Sequence, residues 1–184
     1  MRHAIRLLAP VVLGLGAASC TGAAQEPVPT PAPIPGPPVP LRGVPPAEVE
    51  ALRAGDGMGQ AGAAEFNGYP GPKHVLELAD SLALAPEQRT RVEAIRARML
   101  GEARRLGAEV VAGEAGLEAS FRGGAMDAEE LERRVSALAE LRGRLRLTHL
   151  RAHLETAAVL SPDQRGRYHR LRGHQADAPT RGAG

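Results

Sequence analysis

From Pro72 onward, apolar residues recur every three or four positions, the period of a helix with one buried face. The spacing predicts four helices. The first covers Lys73 to Leu82, with Val75, Leu78, Ala79 and Leu82 on one side. The second starts at Pro86 and carries Val92, Ile95, Met99, Ala103, Leu106, Val110 and then Leu117. A break follows at "FRGGAMD". The third opens at Asp127, an N-cap with Glu130 three residues on, in the arrangement of a capping box. It runs through Leu131, Val135, Leu138, Leu145 and Ala152 to about Val159. The fourth starts at Pro162, carries Tyr168 and Leu171, and ends at "RGHQADAP". No stretch alternates apolar and polar residues with β-branched side chains, so no strand is predicted.

Two of these helix starts share one phrase. "LAPEQRTR" spans Leu84 to Arg91 and "LSPDQRGR" spans Leu160 to Arg167. In the second, Ser161 caps, Pro162 takes the first helical position, Asp163 meets the positive end of the dipole and Gln164 closes a capping box. Leu160 precedes it as a hydrophobic staple. The first copy repeats the device with Leu84, Pro86 and Gln88, but Ala85 lacks the capping oxygen, a loss of about 1 kcal/mol. Each copy therefore marks a sharp break between helices. The expected fold is all-α: a long antiparallel helical hairpin with short flanking helices. Its two long helices each carry a narrow apolar stripe, so one face stays apolar and a homodimer is expected to cover it.

Composition supports helices and narrows the chemistry. The chain of 184 residues has no Trp, two Tyr and two Phe, so the core rests on aliphatic residues. Net charge is +2, from 23 Lys and Arg against 21 Asp and Glu, which is no polycation. With few aromatics to stack bases, nucleic-acid binding is not expected. No Ser-His-Asp set, phosphate-binding glycine loop or HExxH motif is present, so no enzymatic activity is expected.

The N-terminus sets the compartment. "MRHAIRLLAPVVLGLGAASC" has Arg2 and Arg6, then an apolar run from Leu7 to Ala18, the form of a bacterial secretory signal over residues 1–19. Ala17-Ala18-Ser19-Cys20 resembles a lipobox, which implies cleavage before Cys20 and its lipidation. The lone Cys20 forms no intramolecular disulfide. Residues 20–71 then read as a Pro- and Gly-rich disordered stalk, with ten prolines between Gln25 and Pro46 favouring polyproline II. Only Ala47 to Gly55 suggest a helical turn or two. The helical domain is expected over 72–174 and a disordered tail over 175–184.

An exported helical chain in which L-x-x-x-Q opens two helices resembles the Spy/CpxP group of bacterial envelope proteins, the LTxxQ family. "LSPDQ" fits the motif with Ser161 in the hydroxyl position, while Ala85 departs from it in "LAPEQ". The resemblance covers roughly Pro72 to Gly173. It implies a curved hairpin that dimerises into a shallow cradle. It also implies ATP-independent chaperoning of unfolded envelope proteins, or repression of an envelope-stress sensor kinase. Relatives similar to CnrX and ZraP bind transition metals. Typical members are soluble in the periplasm, whereas an anchor at Cys20 would tie this chain to the inner or outer membrane.

Two kinds of site follow. An Arg-rich surface interleaved with apolar side chains can hold an unfolded chain, with Arg89, Arg96, Met99, Arg142 and Arg146 as candidate contacts. The alternative is a metal-sensing or metal-buffering protein. His149 and His153 are four apart, so their imidazoles project from one helical face roughly 6 Å apart, as a Zn, Cu, Ni or Co site wants. Both lie on the packed side of the third helix, where neutral imidazoles need partners. Glu102, His74 or a residue of a second subunit could add a third ligand, Met99 and Met126 a soft one. His169 and His174 are five apart and diverge. No cofactor is required by the chaperone reading.

Overall fold

The structure, a computed structural model, describes residues 41–124 and 126–173. Among these residues the fold is all-α, with six helices and no strand. They are α1 (Pro46–Ala54), α2 (Gly62–Glu65), α3 (Pro72–Glu77), α4 (Pro86–Arg122), α5 (Ala128–Val159) and α6 (Pro162–Arg172). No helix among the described residues is long and apolar enough to cross a membrane. Cys20 and His174 lie outside the described residues.

The long helices start where the capping chemistry directs. Asp127 accepts a hydrogen bond from the Glu130 amide at 2.8 Å. Glu130 does not reach back as in a full capping box; its carboxylate pairs with Arg133 and Arg134 instead. Ser161 accepts from the Gln164 amide at 3.2 Å, and Gln164 Oε1 accepts from the Ser161 amide at 2.9 Å. At the other copy only half the device remains, since Ala85 offers no acceptor: Gln88 Oε1 accepts from the Ala85 amide at 3.0 Å.

Contacts between α4 and α5 run in opposite senses along the two helices. Gln88 meets Val159, Arg98 meets Glu155, and Glu114 meets Arg142. Two apolar clusters hold the body together. One joins Leu52, Ala103, Leu106, Val110, Val111 and Leu145. The other gathers Val75, Leu82, Val92, Leu160 and Tyr168 where α3, α4 and α6 begin or end.

The expectation of four helices and of a stalk running to residue 71 is corrected. Residues 41–71 contribute α1 and α2, and α1 packs along α4. The reason lies in one close approach. Gly107, midway along α4, leaves room for the Leu52 carbonyl of α1; a Cβ there would stand 1.9 Å from that oxygen. Leu52 is thereby almost fully buried against Leu106, Val110 and Leu145. Polar ties help fix the segment. Arg42 and Gly43 amides donate to Glu118 at 2.9 and 3.4 Å. Arg142 bridges Glu48 of α1 and Glu114 of α4 at 3.1 and 2.8 Å. α1 thus supplies cover for apolar positions that the sequence reading left to a second subunit.

Two further boundaries differ. The first helix predicted over 73–82 closes as α3 at Glu77 and continues as turns to Ala83, which has φ 49° in the left-handed region. Leu131 and Val135, placed on the packed stripe by spacing, are 38% and 48% exposed. On α5 the buried side starts only at Leu138 and continues through Leu145, His149, Ala152, Thr156 and Ala157. Leu171 is also exposed, whereas Tyr168 is fully buried.

Candidate functional site

The two histidines predicted to share a face do so, and that face borders a cavity. Its volume is about 570 Å³, within the span of pockets that hold small molecules. α5 supplies His149 and His153; α4 supplies Arg96, Met99 and Leu100. The glycine-rich segment after α1 supplies Asp56, Met58 and the backbone around Gly57, and α2 brings Glu65 and its neighbour Phe66. Pro72, Lys73 and His74 come from the start of α3, and Arg172 from the end of α6. Gly55 and Gly59 adopt φ of 76° and 74°, which lets the segment fold back over the helices.

His149 is 4% exposed, and its Nε2 is buried without a hydrogen-bond partner. Burial, and secondarily the neighbouring His153, holds its pKa below the ordinary histidine value; Asp56 opposes this. The ring is therefore kept neutral. His153 Nδ1 donates to the Tyr69 carbonyl at 2.7 Å. Its ring packs so near Gly71 that a Cβ there would lie 2.9 Å from Cε1.

One wall is held by a buried carboxylate that sequence reasoning missed. Glu65 accepts from the Gly71 amide at 3.1 Å and from the Tyr168 hydroxyl. Arg172 Nε lies 3.7 Å from Glu65 and His153 Nδ1 3.5 Å. Burial, reinforced by the bond to Glu65, pushes the Tyr168 hydroxyl pKa up. Glu65 sits in a stretch whose glycines read as loop, and nothing in its spacing pairs it with Tyr168 across 103 positions.

The other predicted residues are distributed as follows. Arg96, Met99 and His74 reach the cavity, and His74 Nδ1 lies 2.8 Å from Glu77. Glu102 does not: it pairs with Arg105 and lines a separate shallow groove. Met126 stands before α5. His169 packs edge-on to Tyr168. Arg142 is engaged between Glu48 and Glu114, and Arg89 pairs with Asp80 at 3.1 Å. Arg146 is exposed. Among the described residues no group of three or more His, Cys, Asp or Glu is arranged to hold a metal ion.

The helix-start motifs meet at the end of the body beyond the cavity. Gln88 Nε2 donates to Gln164 Oε1 at 2.9 Å, and Gln164 Nε2 returns a bond to Gln88 Oε1 at 3.0 Å. Their second donors reach the carbonyls of Val159 and Leu82, at 2.9 and 3.3 Å. Leu84, Pro86, Leu160, Ser161 and Pro162 position this pair.

No known protein-family profile matches the chain, and neither does any curated protein or solved structure. Fold and site together are an all-helical body with a buried histidine face and a cavity beside it.

Proposed function

We propose that the protein is an envelope-stress chaperone that binds unfolded or misfolded polypeptides without ATP. The carrying observation is one face of α5. Arg144, Leu147, Arg151 and Leu154 follow at spacings of three and four, so they share a side of the helix. All four are exposed, Leu147 at 44% and Leu154 at 54%. Exposed leucines between guanidinium groups suit an unfolded chain, drawn in by charge and retained by apolar contact. This face, with Arg146 nearby on α5, takes the place of Arg142 and Arg89, whose guanidinium groups are already engaged. Exposed Phe121, Leu131 and Val135 suit the seam of a homodimer. The secretory-signal form of residues 1–19 and the lipobox-like stretch ending at Cys20 support a periplasmic protein anchored to the inner or outer membrane. Its partners are unfolded envelope proteins or a sensor kinase, and not nucleic acid.

The test is aggregation of a chemically denatured client diluted into buffer with the purified protein. Suppression without ATP, weakening as salt screens the arginines, is expected. Leu147→Ser together with Leu154→Ser should raise the amount of protein needed severalfold. A client that aggregates at the same rate with and without excess protein overturns the proposal.

A second reading is metal buffering. Two imidazoles one turn apart share a cavity with Met99, and His149 Nε2 lacks a hydrogen-bond partner. Zn, Cu, Ni or Co would be the ion. Equilibrium dialysis decides it: stoichiometric metal, lost in His149→Ala with His153→Ala, favours this reading over the first.

A further inference from the structure

The cavity beside α5 differs in kind from the open Arg and Leu face proposed for polypeptide. It is a half-open cleft of about 570 Å³, large enough for one small organic molecule. Met58, Phe66, Met99 and Leu100 give it apolar surface. Its charged lining is predominantly basic. Arg96 and Lys73, the only lysine of the chain, make no ion pair with a described residue. Of the two acids present, Glu65 is already engaged by Tyr168, the Gly71 amide and Arg172. Asp56, exposed at the edge, is the one acid left to balance them. The imidazole of His149 also lines this space, with Nδ1 and Cε1 on the side of Gly57.

We propose that this cavity binds a single amphipathic organic anion, a carboxylate with a medium-length acyl body. The head lies toward Arg96 and Lys73, where two unpaired cations offer charge-assisted hydrogen bonds. The acyl body packs on Met99, Leu100, Met58 and Phe66, whose unbranched methionines adapt to its shape. A metal ion fits the lining less well, because no third His, Cys, Asp or Glu ligand stands beside the two histidines among the described residues.

The test is calorimetric titration of the full-length protein with decanoate below its micellar concentration, alongside decanol and zinc chloride. The histidine ring nitrogens are followed by NMR in parallel. One decanoate per chain is expected, with a shift of the His149 signals and at least tenfold weaker binding of decanol. Lys73→Gln with Arg96→Gln, both changes at solvent-reachable side chains, should weaken decanoate at least tenfold. Equal binding of decanol overturns the proposal, as does a double variant with unaltered affinity. Several decanoates per chain without a His149 response would mean adsorption to the exposed leucines. Zinc bound at His149 and His153 without decanoate binding would assign the cavity to a metal. Both of these outcomes also overturn it, whatever the fate of the client assay.

Discussion

Gln88 and Gln164 hold each other by two reciprocal amide hydrogen bonds, of 2.9 and 3.0 Å, across 76 positions of the chain. Each oxygen also accepts the amide of its own helix cap, and each nitrogen also reaches a backbone carbonyl. Both side-chain amides therefore use their full hydrogen-bonding capacity. Replacing either by Ala strands the partner's donor and acceptor in a partly buried place. Each single change should cost about 2 kcal/mol. The double change should cost less than the sum, with a coupling of about 1 kcal/mol, read by urea denaturation of the four proteins.

Gly107 sits inside a long helix, where Ala ordinarily gains about 1 kcal/mol over Gly. Here the Cβ would meet the Leu52 carbonyl oxygen at 1.9 Å, a backbone atom that cannot swing aside. Gly107→Ala should instead destabilise by about 2 kcal/mol and loosen α1, seen as faster proteolysis within 46–60. Gly101 and Gly143, whose added Cβ meets nothing within 4 Å, supply the control. Ala at either should stabilise by up to about 1 kcal/mol.

Ala83 holds φ 49° so that the chain can turn between α3 and α4. A left-handed L-residue costs about 1–2 kcal/mol, while Gly adds about 0.4–1 kcal/mol of unfolded-state entropy. The first is the larger, so Ala83→Gly should stabilise by roughly 0.5 kcal/mol, visible as a small rise in melting temperature.

Tyr168 supplies one of the donors to the buried Glu65 carboxylate. Tyr168→Phe keeps the ring but removes that donor, and should cost about 2 kcal/mol. Hydrogen exchange of the Gly71 amide, which also donates to Glu65, should quicken in the variant.

His149 gives the protein a dependence on pH. Its folded pKa is depressed, so below about pH 6.5 the unfolded chain takes a proton that the folded one refuses. Stability is then lost as pH falls through that value and on toward the folded pKa, and regained as pH rises. His149→Leu should lose less stability than the parent between about pH 7.5 and about pH 5. Equal losses would place the acid sensitivity elsewhere.

Much of the fold was legible because its signals are local. Pro86, Asp127 and Ser161 with Pro162 announce helix starts through side chains within one turn, and those starts stand where expected. His149 and His153 share a face for the same reason. What escaped was non-local. The carbonyl of Leu52 seated on Gly107 and the hydroxyl of Tyr168 on Glu65 join residues far apart in sequence. Both involve a stretch whose prolines and glycines outweighed Val49 and Leu52. The glycine within α4 was the available clue, since a Gly inside a strong helix often marks a close approach. Leu131 and Val135 failed oppositely: their period is helical, but α4 packs against that end of α5 near Arg134 and Leu138 and leaves both side chains exposed.

The amides of Arg42 and Gly43 seated on Glu118 decide where upstream chain joins the helical body. Glu118 lies near the end of α4, nineteen residues beyond Met99, a separation of about 28 Å along the helix. Were the chain before residue 41 held to a membrane as proposed, the pull would enter the helical body near the end of α4. With such a leash fixed to a bilayer, the histidine hollow and the paired glutamines ride on the far half, and pulling loads the Glu118 clasp first.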